Sequence, residues 1–598
     1  MYEQHRTFIL TPNHTRSSPS TIIYLDCETR YIEGKREQLH TLRLGVAIKQ
    51  RYVKGYPKGK ADTFVFYTAK QFWDWVERFC YPKRTIWLVA HNFGFDIGAI
   101  DGFNELAKRG WTTRFWAFAP QLFLLSVHKQ GRKLQLVDSL GYMRKSLQTI
   151  GEKVGLEKLP MPSQDDTTDT WLTYCTRDTE VLKQAFESFM RFVSDNNLGR
   201  FSFTGPGQAL AAYRHRFMSE RLILHRVPAL IETEKASYHG GRTEAFYIGT
   251  VPQSPIYYLD VISMYGSIMK DEYYPCELLG RVTNPTRSEV KQALQRVEVL
   301  ATCQVDLPEP ALPYIGERLT FPIGRFSTVL AGPEFRYCYE RGYVKNVSEI
   351  VCYRRGQPFI EYVDYFWELK KRAKDEGDET MEWLSKLFQN AFYGKWGQRN
   401  PTYEVRKAEH GEPIGMSMVA SSVDGRRESR LCMGGKIWIK TGEKLTSHTS
   451  YPLASWITSA ARVKLLKLAN QAGLDHVYYC DTDSLFVDET GYNRLLSYIE
   501  PGVLGKLEVK QVVKELTIRG AKDYKVDGVL RIKGVPRKSI QIDTNTFEYV
   551  SFEGVRTRLR KDHVGQVVQT TVTKVLAREY QKGEVQPDGR ITPYLLDQ

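Results

Sequence analysis

The chain has 598 residues, and one hydrophobic core seldom grows past about 250–300, so a single small module is excluded. Its formal charge of +15 favours a polyanionic partner, nucleic acid first, over an acidic substrate. Hydrophobic residues at 42% and aromatics at 12% exclude a disordered chain and predict a large core.

The opening stretch to Ser20 is polar and rich in Ser, Thr and Asn, which reads as a tail or loosely docked extension. It lacks a basic region followed by an apolar run, and nowhere do about 18 apolar residues follow one another, so a soluble, non-secreted protein is expected. From Thr21 short apolar runs (TIIYLD, RLGVAIK, TIWLVAH) alternate with helical patterns such as QFWDWVERFC, which predicts α/β organisation, and a second such unit begins near Ile256. Tyr362 to Trp396 carries apolar residues at helical spacing around a charged DEGDE turn and reads as a helical hairpin, with Lys370 and Lys374 on one face of the first helix. Gly397 to Ser450 shifts to Gly, Ser, Thr and Glu, predicting β-turns and an inserted subdomain. Residues 501–580 hold 16 Lys and Arg against 9 Asp and Glu, so a basic groove is expected near the C-terminus. Nine cysteines, scattered with no C-x-x-C pair, point to neither a zinc site nor a disulfide framework.

Three segments carry chemistry. Tyr479-Cys-Asp481-Thr-Asp483-Ser484 lies between apolar runs, so it should be a hairpin turn displaying two carboxylates, although a plain D-x-D turn is the commoner meaning of such a motif. A second strand-like run, IYYLDVISMYGSIM, ends in Asp260. Two such carboxylate strands can converge on divalent ions about 3.5–4 Å apart, which clamp the attacking and leaving oxygens of an in-line phosphoryl displacement. In SKLFQNAFYGKWG, Lys386, Asn390 and Tyr393 share one helix face, where a lysine can hold a triphosphate; an amphipathic surface helix is the plainer alternative.

These residues resemble the family B DNA polymerases, and within them the protein-primed branch of phages and linear plasmids. Asp260-x-x-Ser263-Met-Tyr265 looks like the first palm motif, Lys386-x-x-x-Asn390-x-x-Tyr393-Gly394 like the fingers motif, and Tyr479-x-Asp-Thr-Asp-Ser like the second palm motif, in the family's order. Asp26-Cys-Glu28, Asn92-x-x-Phe95-Asp96 and Tyr174-x-x-x-Asp178 look like the three motifs of its proofreading exonuclease. Tyr238-His-Gly240-Gly241 is similar to the linker motif, where glycines allow close approach to a phosphate, and Lys522-Asp-Tyr524, followed by Lys533, to the K-x-Y motif that steadies the primer end. Lys370 and Lys374 look like the two basic positions on the first fingers helix. Departures are Met264 for Leu, Gly266 for Pro, Ala391 for Ser and Cys480 for Gly; none removes a ligand.

The resemblance implies a multidomain α/β and α+β fold: a ribonuclease H-like 3′-5′ exonuclease domain followed by a right-hand palm, fingers and thumb. The expected boundaries are a tail at 1–20, exonuclease at 21–195, linker and first palm part at 196–280, an insertion that contacts a terminal protein at 281–358, fingers at 359–396, a second, template-encircling insertion at 397–450, second palm part at 451–530 and thumb at 531–598. Implied metal ligands are Asp260 and Asp483, supported by Asp481, and in the exonuclease Asp26, Glu28, Asp96 and Asp178, with Tyr174 orienting the attacking water. Mg2+ is the expected ion, two per site and replaceable by Mn2+. Tyr265, Lys370, Lys374, Lys386, Asn390 and Tyr393 would bind the nucleotide; Asn92, Phe95, Tyr238, Gly240, Gly241, Lys522, Tyr524 and Lys533 would bind DNA. Expected partners are template-primer DNA, dNTPs and a terminal protein, with a monomeric enzyme inside a bacterial host, or in an organelle or cytoplasm if plasmid-encoded. The rival readings are a polymerase needing an ordinary primer or none, a catalytically inactive nucleic-acid scaffold, and an exonuclease alone, which the fingers motif opposes.

Overall fold

A computed structural model describes residues 7–32, 37–409, 411–420 and 427–597. Apolar runs without polar alternation belong in strands covered on both faces, and IIYL and IWLVA lie in such strands, Thr21–Ile32 and Thr85–Ala90, which run parallel in the N-terminal sheet with Arg132–Asp138 parallel beside them. Ile23 and Leu25 point to one core with Trp73 and Phe93; Ile22 and Tyr24 point to the other with Phe186 and Phe189. The second layer is the 28-residue helix Thr168–Asp195, capped by Thr167.

A central five-stranded sheet runs in the order Thr243–Ala245, Val477–Asp481, Ser484–Val487, Ile256–Val261, Leu507–Val513. The helix Tyr451–Ala472 is buried along most of its length, with Leu453, Ala454, Trp456, Ile457 and Leu465 in the shared core. The predicted helical hairpin is Ile360–Glu376 and Glu379–Phe392. Gly377 ends the first helix in the left-handed region at φ 72°, and the Asp378 side chain caps the second by accepting from the Met381 amide.

Two sheets interrupt the central unit. Strands Tyr274–Thr283, Val344–Gly356, Glu298–Leu307 and Ile323–Leu330 pair in a seven-stranded sheet, and Arg399–Lys407, Lys436–Leu445, Arg427–Met433 and Gly415–Ala420 form a four-stranded antiparallel one. Among the described residues, no helix is long and apolar enough to cross a membrane. All nine cysteines are free.

Three expectations need correction. The opening stretch is no loose tail: Thr7–Leu10 pairs with Leu222–His225 at the edge of the seven-stranded sheet, and the Phe201 amide donates to Ser17 O at 2.8 Å. Its polar composition hid a short edge strand. The segment 531–598 is not one unit either. Thr546–Phe552 and Val567–Val575 extend the N-terminal sheet, with His40 opposite Val567, whereas Leu595–Asp597 pairs with Ile323–Leu330. Lastly, the turn-rich composition of 397–450 suggests an insertion held by few core contacts, yet its Met416, Leu431, Met433 and Trp438 share one core with Phe93, Trp116 and Phe118 of the N-terminal unit.

Candidate functional site

Antiparallel pairing brings the two carboxylate strands together as expected. Asp260 lies opposite Ser484, and the Val261 amide donates to Asp483 O at 2.7 Å. Thr482, at φ 62°, makes the tight turn that sets Asp481 and Asp483 at the hairpin tip. Burial, aided by the charges of Asp260 and Asp481, pushes the Asp483 carboxyl up to about 6. Burial also raises Asp260, against the pull of Lys510, whose Nζ lies 3.8 Å from Asp260 Oδ2. Asp481 is differently placed: it accepts from Lys522 Nζ at 2.7 and 2.6 Å, Thr243 Oγ1 at 2.9 Å and Thr482 Oγ1 at 3.0 Å. Its acceptor sites are spent on protein, those of Asp483 are not. The pair Asp260 and Asp483 therefore fits a hard divalent cation, which takes oxygen ligands.

Above the pair, the Tyr265 ring stacks on Tyr393 with centroids 4.0 Å apart and planes at 19°. Lys386 and Asn390 are exposed on the same helix as the approach to that stack, and the Lys386 charge is felt by Asp260 and Lys370. Lys370 Nζ sits 4.8 Å from the Trp367 ring centroid, and burial lowers its pKa; Lys374 is exposed one turn on. Beyond Asp481 a cleft of about 580 Å³ is lined by Lys522, Tyr524, Arg531, Lys533 and Arg537.

A Cβ on Gly241 would come within 2.9 Å of the Thr482 side chain, so this glycine permits close approach of the linker to the hairpin turn, while Gly240 has open space around it. The linker is pinned by Arg462, which donates to His239 O and Gly240 O at 2.8 and 2.7 Å while pairing with buried Glu334. Tyr238 packs against Gly397 and Tyr451.

A second acid cluster lies in the N-terminal unit. Ligand atoms of Asp26, Glu28 and Cys175 all lie within 4.8 Å of one another. Burial raises the carboxyls of Asp26, Glu28, Asp96 and Asp178, and their mutual repulsion adds to it: Asp178 acts on Asp26, and Asp26 on Glu28 and Asp96. Burial pushes the Cys175 thiol well up, and it donates weakly to Asp26 Oδ2 at 3.5 Å. Asp96 Oδ1 and Asp178 Oδ1 are buried without a hydrogen-bond partner, a vacancy in bonding that a cation held by carboxylate oxygens would fill. Tyr174 is buried at the cluster's edge. Asn92 adopts φ 64° where strand turns to helix; its side chain makes no cap bond, and the Phe95 ring packs edge-on against Phe552 at 5.2 Å.

Several residues of this site carry no sequence signal. Lys158 pairs with the other oxygen of Asp178 and places Nζ 4.5 Å from the Tyr174 ring centroid. Asp138, at the end of its strand, accepts from the Asn92 and Phe93 amides at 3.0 and 3.1 Å and so fixes the turn that presents Asp96; burial pushes it up to about 6. A lone Lys in a loop and a single Asp at a strand end make no motif to read. Arg462 and Lys510 were equally hidden, within an apolar helix and an edge strand.

The family model described as DNA polymerase type B, organellar and viral, matches residues 132–445, just over half of the chain. The chain belongs to this family. It is similar to a Neurospora intermedia protein named Probable DNA polymerase, 25% identical over 376 residues, which cover 59% of this chain and 37% of that protein. It is likewise similar to the DNA-directed DNA polymerase of Enterobacteria phage PRD1, 25% identical over 303 residues, covering 49% of this chain and 50% of the phage protein. The matches thus span half or less of these relatives. Among solved structures, Phi29 DNA polymerase complexed with primer-template DNA and incoming nucleotide substrates superposes with a TM-score of 0.66 at 16% identity, over 94% of this chain and all of that one. Phi29 DNA polymerase complexed with single-stranded DNA gives 0.67 at 15% identity over 94% and 100%. The fold of this type B chain is therefore a ribonuclease H-like domain followed by a right-hand palm, fingers and thumb.

Proposed function

We propose that the chain is a DNA-directed DNA polymerase that adds dNTPs to a 3′-OH, with a 3′-5′ exonuclease in its N-terminal unit. The observation that carries this is the pair Asp260 and Asp483 at adjoining strand ends beneath the Tyr265–Tyr393 stack, with Lys386 facing it. Asp260 and Asp483 hold the cations; Asp481, saturated by Lys522 and two threonines, fixes the hairpin and places Lys522 beside the primer end. Divalent ions bound there supply Lewis-acid stabilisation of the phosphates and of the attacking oxygen. Lys386, with Lys370 and Lys374 behind it, neutralises the triphosphate as charge develops. Asn390 and Tyr393 line the nucleotide, and the Tyr265 ring fills the space that a 2′-hydroxyl needs. Lys522, Tyr524 and Lys533, along the basic cleft, with Tyr238, Gly240 and Gly241, guide the primer-template.

In the N-terminal unit Asp26, Glu28, Asp96 and Asp178 form the cation site, Tyr174 orients the attacking water with Lys158 beside it, and Asn92 and Phe95 guide the frayed strand. The phosphate-attacking chemistry is of the same class in both sites, and Mg2+, or Mn2+ in its place, suits the all-oxygen donor sets. The Phi29 polymerase complexes with primer-template DNA and nucleotides support DNA and dNTPs as partners. Two sheets inserted around the helical hairpin, at the positions expected for the protein-primed branch, support a terminal protein as primer; the enzyme is proposed to act as a monomer.

Incubation with dNTPs, Mg2+ and either a primed or an unprimed single-stranded template tests this reading. Primed template should be extended and unprimed template left untouched unless a protein bearing a free hydroxyl primer is supplied. Inertness on the primed template overturns the polymerase reading; equal synthesis on both overturns the requirement for a primer.

A further inference from the structure

Strands Thr85–Ala90 and Arg132–Asp138 run parallel, with Ala90 opposite Asp138 at the end that carries the acid cluster and Thr85 opposite Lys133 at the other. Five residues at about 3.3 Å each put roughly 17 Å between the two ends. At the far end opens a groove of about 520 Å³, lined by Lys83, Arg84, Arg114 and Lys133 together with Trp87 and Phe203. All four cations are exposed, none forms an ion pair among the described residues, and no described Asp or Glu lines the groove. Lys83 lies in the left-handed region at φ 64°, its amide donating to Gly131 O at 3.0 Å, which fixes the turn that carries Lys83 and Arg84. The Phe203 ring stacks on the ring of Trp87, with centroids 5.0 Å apart and planes at 20°, yet is 41% exposed.

Arg84 lies over the Tyr81 ring at 5.7 Å and Phe203 gains from its stack on Trp87, but four like charges beside one another repel, and the outer part of the Phe203 ring leaves apolar surface in water. Together they match a ligand that offers phosphates and a free π-face. We propose that this groove is an auxiliary binding site for single-stranded DNA, with phosphates against the four cations and a base stacked on Phe203. A compact anion would have no use for the ring, and the paired bases of a duplex present no face to it. The assignment rests on the reading of the chain as an enzyme acting on DNA, and the groove would hold a strand outside both acid clusters.

The test uses the full chain, first saturated with a blunt hairpin primer-template and then titrated with fluorescent dT12 while anisotropy is followed over a range of salt. The hairpin-loaded protein should bind dT12. The double variant Lys83→Glu with Arg84→Glu should weaken that binding about tenfold and flatten the salt slope by about 1.4, the value for two phosphate contacts on a single strand. Phe203→Ala should weaken it several-fold without changing the slope, because stacking releases no counterions. Hairpin extension should be unchanged in both variants, which also certifies their folding. Absence of dT12 binding, an unchanged affinity in the double variant, or displacement of dT12 by duplex as readily as by single strands would overturn the proposal. Failure to bind or extend the hairpin would instead overturn the polymerase reading, with dT12 binding in the two variants still reporting on the groove.

Discussion

In the proposed polymerase the Tyr265 ring, stacked on Tyr393, is the group that selects the sugar. Tyr265→Val should raise ribonucleotide use and lower the dNTP-to-rNTP ratio of kcat/KM by about tenfold or more, the size expected when a steric exclusion worth about 1–3 kcal/mol is lost. An unchanged ratio would remove Tyr265 from sugar selection. The buried carboxylates make a second prediction. Their folded-state pKa values lie above the unfolded ones, so the folded chain holds protons that the unfolded chain has released. Their contribution to stability is present below about pH 4 and is lost as pH rises, through about 6 for Asp483. A cation reverses this by binding the deprotonated clusters and not the unfolded chain. Melting curves with and without Mg2+ should therefore show a larger rise in Tm at pH 8 than at pH 5.5; equal rises would contradict the assignment of the carboxylates as cation ligands. Asp260, Asp481 and Asp483 were legible in sequence as acids beside apolar runs, and Asp26, Glu28, Asp96 and Asp178 through the resemblance of their motifs to the family. Lys158 and Asp138 were not, since their roles depend on a fold that brings Asp178 and the Asn92 turn to them.

At the scale of elements, the helical hairpin and the carboxylate-bearing β-hairpin followed from local signals, namely apolar residues at helical spacing around the DEGDE turn and the apolar runs on either side of Tyr479–Ser484. The four-stranded insertion did not. Its Gly- and Ser-rich composition suggests a surface appendage that tolerates deletion, yet its Trp438 ring packs edge-on against Tyr403 at 5.9 Å, and Tyr403 in turn meets Trp116 of the N-terminal unit at 5.2 Å. Turn residues describe only the loops of such a sheet, while alternate strand residues build a core with a distant partner. Trp438→Ala should accordingly destabilise the protein by about 3–5 kcal/mol, the usual cost of truncating a buried aromatic. Thermal or denaturant unfolding monitored by tryptophan fluorescence checks this, and wild-type stability would restore the view of a loosely held insertion.

Across the whole molecule, the order of the parts was legible but their embrace was not. Val567–Val575 pairs with Glu37–Val53 across more than 500 residues, and Leu595–Asp597 closes onto the first inserted sheet. Such pairings leave no local periodicity, because each strand needs only an edge to join. The consequence is a C-terminal segment braced on the N-terminal unit: Phe552 touches both Phe95 and His40, and Arg558 is buried against Gly94 O beside the turn that bears Asp96. Despite that mechanical continuity, the two acid clusters are separate, each with its own carboxylates and its own lysine, Lys522 in one and Lys158 in the other. The central claim is that they are two independent catalytic sites in one chain. Its most direct test is to assay Asp483→Ala and Asp26→Ala side by side, each verified as folded, for primer extension and for degradation of single-stranded DNA. Asp483→Ala should lose extension by orders of magnitude and keep degradation, and Asp26→Ala should do the converse; loss of both activities in either variant would contradict the two-site account.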